Sequence, residues 1–183
     1  MISWNTGQKK KKGMVKKMIY EIQKDSADFK NVEFCYKALT KSKKDPRKHL
    51  HHFLIANGFI HSTDGKRLHK VKPVQEFEEG HYRPFKAEPG FVLVKVEEFD
   101  YPNLEDIIPE ENPDKVLEIT LIDLDASFAE IIRSLPDEQV VNHLFVKDLL
   151  DNHFELKLYF DKGVLVFSAT DGNKVAVLMV KKA

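Results

Sequence analysis

The sequence predicts an α+β fold in which a unit of one helix and about three antiparallel strands occurs twice. Two segments, one beginning at Phe34 and one at Phe145, resemble each other. Each reads as a helix, a strand, a glycine-containing turn, a second strand, a Thr-Asp-Gly turn and a third strand. Thr63-Asp64-Gly65 recurs as Thr170-Asp171-Gly172. Such a unit exposes one sheet face, which two copies cover by placing both helices on the same side.

The helix of the first unit is predicted from apolar residues that recur at i, i+3, i+4 and i+7, namely Val32, Cys35, Tyr36 and Leu39. Ser26 or Asp28 can cap its start, and Pro46 ends it at the latest. Asn57-Gly58 and Asp64-Gly65 then favour tight hairpin turns between short strands, because both dipeptides accept positive φ angles.

Residues outside the first repeat also follow recognisable patterns. Residues 18–24 alternate apolar and polar side chains, which is typical of a strand, and the largely apolar residues 91–96 predict another strand. Residues 100–113 contain three prolines and many acids, so we expect a connector there. Residues 115–122 predict a strand and residues 125–136 a helix. The last part predicts a short helix followed by strongly alternating strands.

These patterns divide the chain into an arm and one domain. Residues 1–17 are polar and lysine-rich, which predicts a mobile basic arm. Residues 18–183 form one domain of two similar halves, about 28–100 and 114–183, joined by the connector 100–113. This length is sufficient for a single sizeable core.

The net charge of zero conceals an uneven distribution. Residues 1–72 hold 18 of the 29 Lys and Arg residues but only 6 of the 29 Asp and Glu residues. The first part therefore carries a net charge of +12 and the remainder −12. This asymmetry indicates an anionic partner for the first part. Attraction between neighbouring subunits, or simply two solvated surfaces of opposite sign, would explain it equally well.

The single cysteine, Cys35, excludes an internal disulfide framework and favours a reducing, cytoplasmic setting. No apolar run is long enough to span a bilayer, so no membrane partner is expected. The basic N-terminus lacks the apolar stretch of a secretory signal.

Three stretches resemble the bacterial sliding clamp, the beta subunit of DNA polymerase III. They are STDGKRLHKV at 62–71, FDYPNLEDIIPEENPDKVLEI at 99–119, and the closing helix-and-strands segment from Phe145. Their order and the compact length look most like shortened clamp-like proteins of phages and prophages. The resemblance implies a DNA-clamp, or processivity, fold and a non-enzymatic replication accessory protein.

The resemblance also implies duplex DNA as a partner, held non-specifically by helices that line a ring. Lysines suit this task because they attract phosphates without reading sequence. The candidate DNA-binding residues are Lys30, Lys37, Lys41, Lys43, Lys44, Arg47 and Lys48, with Lys30, Lys37, Lys41 and Lys44 on one face of the first helix. The second helix differs, since Asp148 and Asp151 accompany Lys147. A chain this short would close a ring only as a homo-oligomer.

The same resemblance implies an apolar cleft that binds a short peptide motif of a DNA polymerase or another replication protein. Its candidate residues are Thr63, Gly65, Lys66, Arg67, Leu68, Pro102, Asp106, Ile107, Val177 and Met179. Leu, Ile, Val and Met suit such a slot, and Lys66 and Arg67 would be its polar handles. From the residues alone, an ordinary hydrophobic core explains the apolar members equally well.

Other chemistries were weighed against this interpretation. His49, His51, His52, His61 and His69 are dense, but no cysteine or carboxylate has a telling metal-site spacing, so solvated histidines are expected. Phosphate-binding glycine loops are absent, and no nucleophile, base and orienting group occur together. We therefore expect no enzyme activity, no metal and no cofactor. Two alternatives stay open: a clamp-fold protein-interaction module that does not encircle DNA, and a metal-dependent hydrolase.

Overall fold

The computed structural model describes residues 18–104, 106–110, 116–119, 131, 133, 139–150, 156–161, 163–169 and 172–182. Its helices are α1 (Phe29–Lys37) and α2 (His143–Leu150), with a 3₁₀ turn at Lys48–His51. Its strands are β1 (Ile19–Ile22), β2 (Phe53–Ala56), β3 (Phe59–Thr63), β4 (Arg67–Val71), β5 (Gly80–Ala87), β6 (Gly90–Lys95), β7 (Leu117–Ile119), β8 (Gln139–Val140), β9 (Leu156–Asp161), β10 (Val164–Ala169), β11 (Lys174–Met179) and β12 (Lys181–Lys182). The predicted basic arm and the dipeptide 170–171 lie outside the described residues.

Ten of the described strands form one antiparallel sheet, in the order β1-β6-β5-β2-β3-β4-β11-β10-β9-β7. The two predicted units meet where β4 pairs with β11, with Val71 opposite Lys174 and Arg67 opposite Leu178. We call this pairing the seam. Outward from it the strands run β4-β3-β2 in one unit and β11-β10-β9 in the other. The predicted α+β fold with a duplicated unit is confirmed.

Both helices pack on the same face of this sheet. The main core joins Val32, Phe34 and Cys35 of α1 and Val146 and Leu149 of α2 to inward-facing strand residues of both units, including Ile55, Phe167 and Leu178. The two units therefore share one core. Burying each large apolar side chain in it stabilises the fold by about 1.5–3 kcal/mol.

Neither described helix is long and apolar enough to cross a bilayer.

The opposite face of the sheet is covered by the predicted connector. Leu104 packs there against Leu68 of β4 and Val177 of β11, on either side of the seam. The Tyr159 hydroxyl of β9 donates a hydrogen bond to the carbonyl of Pro109, at 3.0 Å. These contacts place the connector across both units.

The predicted extension of the first helix beyond Lys37 is wrong. The amide of Ala38 donates to the carbonyl of Cys35, and the amide of Thr40 donates to the carbonyl of Leu50 at 2.9 Å. Because Leu50 is fully buried, this bond draws the chain away from the helix axis toward the sheet. Lys41 and Lys44 therefore lie in the following loop and do not share a helical face with Lys30 and Lys37.

Asp28 occupies the N-cap position, just before α1, but its side chain makes no capping hydrogen bond to the helix. Its carboxylate accepts hydrogen bonds from the amides of Val74 and Gln75, both at 2.8 Å, and from the side-chain amide of Asn31 at 3.1 Å. The Asp28 side chain thus makes a tertiary contact that holds the segment after β4, while the Ser26 hydroxyl accepts from the amide of Asp28 at 3.2 Å.

The sequence interpretation missed β5, which contains Pro84. The strand pairs with β6 along its whole length, but β2 pairs only with its Gly80–Tyr82 part. Proline donates no backbone hydrogen bond, and Pro84 lies just beyond the part of β5 that pairs with β2.

Of the helix predicted at 125–136, Ile131 and Arg133 are described, and Ile131 is fully buried in the main core.

Neighbouring residues of β11 offer a test of this register. Leu178 is fully buried on the helical face, whereas Met179 is 57% exposed on the other face. We expect Leu178→Ala to lower the free energy of unfolding by about 2–5 kcal/mol. The matched Met179→Ala should change it by no more than about 0.5 kcal/mol. Urea denaturation of both variants checks this, and equal losses would contradict the register.

Candidate functional site

Nine of the ten residues predicted for the peptide cleft line one apolar cavity of about 120 Å³. We call it the seam cavity, because β4 and β11 supply its floor. Its lining residues are Thr63, Gly65, Lys66, Arg67, Leu68, Pro102, Ile107, Val177 and Met179. The tenth, Asp106, is exposed and is not among the lining residues.

The apolar side chains of the seam cavity differ in exposure. Leu68 and Val177 are each 2% exposed and form its floor as part of the core on this face. Ile107 of the connector is 40% exposed and Met179 is 57% exposed. Exposed apolar side chains beside a buried apolar floor are suited to bind the apolar anchor of another molecule.

The turn between β3 and β4 shapes one wall of the seam cavity. The Thr63 hydroxyl donates to the carbonyl of Arg67 at 2.7 Å and accepts from the amide of Gly65 at 3.0 Å. The Asp64 carboxylate accepts from the amides of Lys66 and Arg67 at 2.9 and 3.1 Å. Gly65 has a φ of +82°, which favours glycine. The Thr-Asp-Gly sequence thus fixes this turn by its own side chains.

Arg67 forms buried contacts with both helices, which the sequence did not indicate. Its side chain is only 5% exposed, and its guanidinium donates to Asp64 at 3.0 Å, to Asp148 of α2 at 2.7 Å and to the carbonyl of Lys37 in α1. The guanidinium carbon also lies 4.2 Å from the centre of the Phe145 ring. Arg67 therefore joins both helices to β4. Arg67 also lines the seam cavity, next to the exposed Lys66.

The same contacts explain an acidic residue in the second helix. Asp148 accepts from Arg67 and lies 3.9 Å from the Lys37 ammonium. A lysine at this position would face two cations. Asp148 thus joins the two units electrostatically. Asp151 lies outside the described residues.

The seven predicted DNA-binding residues occupy α1 and the segment after it. Lys30, Lys41, Lys43, Lys44, Arg47 and Lys48 are exposed, and Lys37 is half-buried beside Asp148. Arg47 is held by both carboxylate oxygens of Asp45, at 3.0 and 2.8 Å. The Arg47 guanidinium holds the pKa of Asp45 well below its usual value. The charge of Arg47 is therefore largely offset, and the loop lysines are the better candidates.

A larger groove of about 830 Å³ lies on the helical side, between α1, the loop after it and the end of β5. We call it the basic groove. Lys37, Lys41, Lys43, Arg67, Arg83 and Lys86 line it, together with the acids Glu33 and Asp148. Arg67 lines both this groove and the seam cavity.

The expectation that the clustered histidines are solvated is wrong for His61 and His69. His69 is fully buried and stacks on Phe34, and its Nδ1–H donates to the Phe34 carbonyl at 2.7 Å. Burial lowers the pKa of His69 to about 3, so it stays neutral. His61 is 3% exposed, with Nδ1 3.3 Å from the Leu54 carbonyl. Within the described part of the chain, no three His, Cys, Asp or Glu residues are grouped to hold a metal ion.

Comparison with solved structures relates this fold to bacterial beta subunits. The chain is 11% identical to the DNA polymerase III beta chain from Streptococcus pneumoniae, with a TM-score of 0.58, covering all of this chain and 69% of that one. It is 13% identical to the beta subunit from Borrelia burgdorferi, solved with a natural product, with a TM-score of 0.61, covering 90% of this chain and 64% of that one.

A DNA polymerase sliding clamp from Pseudomonas aeruginosa solved with a ligand is also similar, at 13% identity and a TM-score of 0.55. The alignment covers 90% of this chain and 66% of that one, so the chain spans about two thirds of these subunits. No protein-family model and no curated protein matches the sequence. At such identities the likeness shows the fold, which is the DNA-clamp fold.

A double-mutant cycle tests the link through Arg67. We expect Arg67→Gln and Asp148→Asn to show a coupling energy of about 1–3 kcal/mol, because the two residues share a network. The matched cycle is Arg47→Gln with Asp45→Asn, a pair within one exposed loop, which should couple more weakly because solvent screens it. Urea denaturation supplies all the values, and a coupling at Arg67 no larger than that at Arg47 would contradict the assigned link.

Proposed function

We propose that this protein is a clamp-like DNA replication accessory protein that binds duplex DNA without sequence preference and binds partner peptides in the seam cavity. The observation that carries the proposal is the seam cavity itself. It combines a buried apolar floor, exposed Ile107 and Met179, and the exposed Lys66 at its rim. The protein acts by binding and not by catalysis.

Peptide binding follows from the chemistry of this cavity. A volume of about 120 Å³ accepts one or two apolar side chains, not a whole ligand. A short peptide from a DNA polymerase or another replication protein would insert its apolar anchors between Ile107 and Met179. Lys66 would meet a polar or anionic group of the same peptide.

Duplex binding is supported by the exposed lysines that follow α1. Lys41, Lys43 and Lys44 are exposed in one loop, and Lys30 is exposed on α1 itself. Their charges would attract phosphates and release counterions, so binding should weaken steeply as salt rises.

Assembly into a homo-oligomer completes the proposal. The sheet ends at β1 on one side and at β7 on the other among the described strands. Head-to-tail contacts between such edges generate rings when the rotation closes. Such an assembly would have to supply the part of the clamp ring that one copy of this chain does not span.

Charge reversal tests DNA binding. We expect Lys41→Glu with Lys44→Glu to weaken binding of a fluorescein-labelled duplex about tenfold or more at low salt, because two cations become anions and the net charge falls by about four units. The double variant Lys24→Glu with Lys72→Glu changes the net charge equally, at exposed lysines outside the groove and the cavity. Fluorescence anisotropy measures both, and equal effects would mean that only net charge matters.

Two exposed cavity residues test peptide binding. We expect Ile107→Ser with Met179→Ser to weaken binding of a labelled peptide with leucine and phenylalanine anchors about fivefold or more, since central apolar contacts carry most binding energy. Val74→Ser is the control, because Val74 is 73% exposed and lies outside the cavity. Unchanged peptide affinity in the folded double variant would exclude this cavity as the peptide site.

A further inference from the structure

The basic groove differs in shape and chemistry from a surface that only touches a duplex. Beyond Tyr82, β5 has no pairing with β2, and its residues 83–86 line the groove opposite α1 and the loop that follows it. The groove has a volume of about 830 Å³ and is open to solvent. A stiff duplex can touch only the rim of such a groove, whereas a flexible single strand can lie in it.

The charges of the groove favour a polyanion. Asp148 forms ion pairs with Arg67 and Lys37. The negative charge of Asp148 therefore offsets part of the positive charge of these two residues. Lys41, Lys43 and Lys86 are exposed, and no ion pair to them is found within the described residues. Arg83 is also exposed and lines the groove. Among the described lining residues, Glu33 is the acid that opposes these four cations.

The groove also offers aromatic surface beside these cations. Tyr36, Phe85 and Phe91 are among its lining residues, and Phe85 is 43% exposed. The Arg83 guanidinium lies 5.2 Å from the centre of the Phe85 ring. In a duplex the base faces are stacked on one another, so an exposed aromatic ring beside the cations has no free base face to stack on. An unpaired base stacks on such a ring.

We propose that the basic groove binds single-stranded nucleic acid, with Lys41, Lys43, Arg83 and Lys86 on the phosphates and Phe85 against a base. The inference deepens the proposed DNA-binding role of the face that carries α1. It adds Arg83, Phe85 and Lys86 to that role, and the sequence had not indicated any of the three. A clamp-like protein with this groove would hold the unpaired strand next to a duplex.

The test compares single-stranded and duplex ligands on the same variants. The probes are a fluorescein-labelled oligothymidylate and a labelled duplex, measured by anisotropy at low salt. Phe85→Leu keeps an apolar side chain but removes the ring, and it should weaken oligothymidylate binding about fivefold or more while duplex binding stays unchanged. Arg83→Gln with Lys86→Gln should lower the salt slope for the single strand by about 1.4. Lys72→Gln, outside the groove, should change neither.

The outcomes separate this inference from the proposed function. Loss of single-strand affinity alone in Phe85→Leu, with far-UV circular dichroism unchanged, supports the groove. Equal loss for both ligands, no effect on either, or equally tight binding of polyglutamate would overturn it. If the wild-type protein binds oligothymidylate but no duplex, the proposed clamp role fails while the groove stands. If it binds only duplex, the groove inference fails and the clamp role is unaffected.

Discussion

The seam between β4 and β11 is the contact on which the rest of the structure depends. Its two ends are closed by backbone bonds outside the strand register, from the amide of Lys72 to the carbonyl of Asn173 and from the amide of Met179 to the carbonyl of Lys66. The seam makes one sheet from two units, so α1 and α2 share a core on one face. On the other face the connector crosses it. Without the seam neither the cavity nor the shared core would exist.

Arg67 connects these features energetically. Its backbone belongs to the seam, and its side chain reaches Asp148 of the second unit and the end of α1. A guanidinium this buried is tolerated because each of its three nitrogens has an acceptor. The same residue lines the seam cavity and the basic groove, so the two proposed binding surfaces lie on either side of one ion-pair network. A change at Arg67 would therefore disturb both surfaces.

Much of the fold was predictable because local chemistry decides it. Asn57 and Gly58 have φ values of 53° and 75°, as the hairpin prediction requires, and the repeated element order gave the two units. The failures have tertiary causes. The hydrogen bond from the Thr40 amide to the Leu50 carbonyl ends α1 earlier than predicted. Pro84 made β5 unrecognisable as a strand in the sequence. Arg67 pairs with Asp148, which lies 81 residues further along the chain. The cavity residues were predicted by resemblance to a family, since composition alone also allowed an ordinary core. Of the basic groove, the sequence indicated only Lys37, Lys41 and Lys43, because its lining residues come from five separate segments of the chain.

Native-state hydrogen exchange tests the central claim that the two units form one cooperative structure through the seam. The amides of Lys72 and Met179 are the probes, one at each end of the seam, together with the interior amides of β3 and β10. If the seam unites the units, the interior amides on both sides exchange only through global unfolding, with the free energy that denaturant unfolding gives. Exchange of β9–β11 at a clearly lower free energy, while β2–β4 stay protected, would contradict the account.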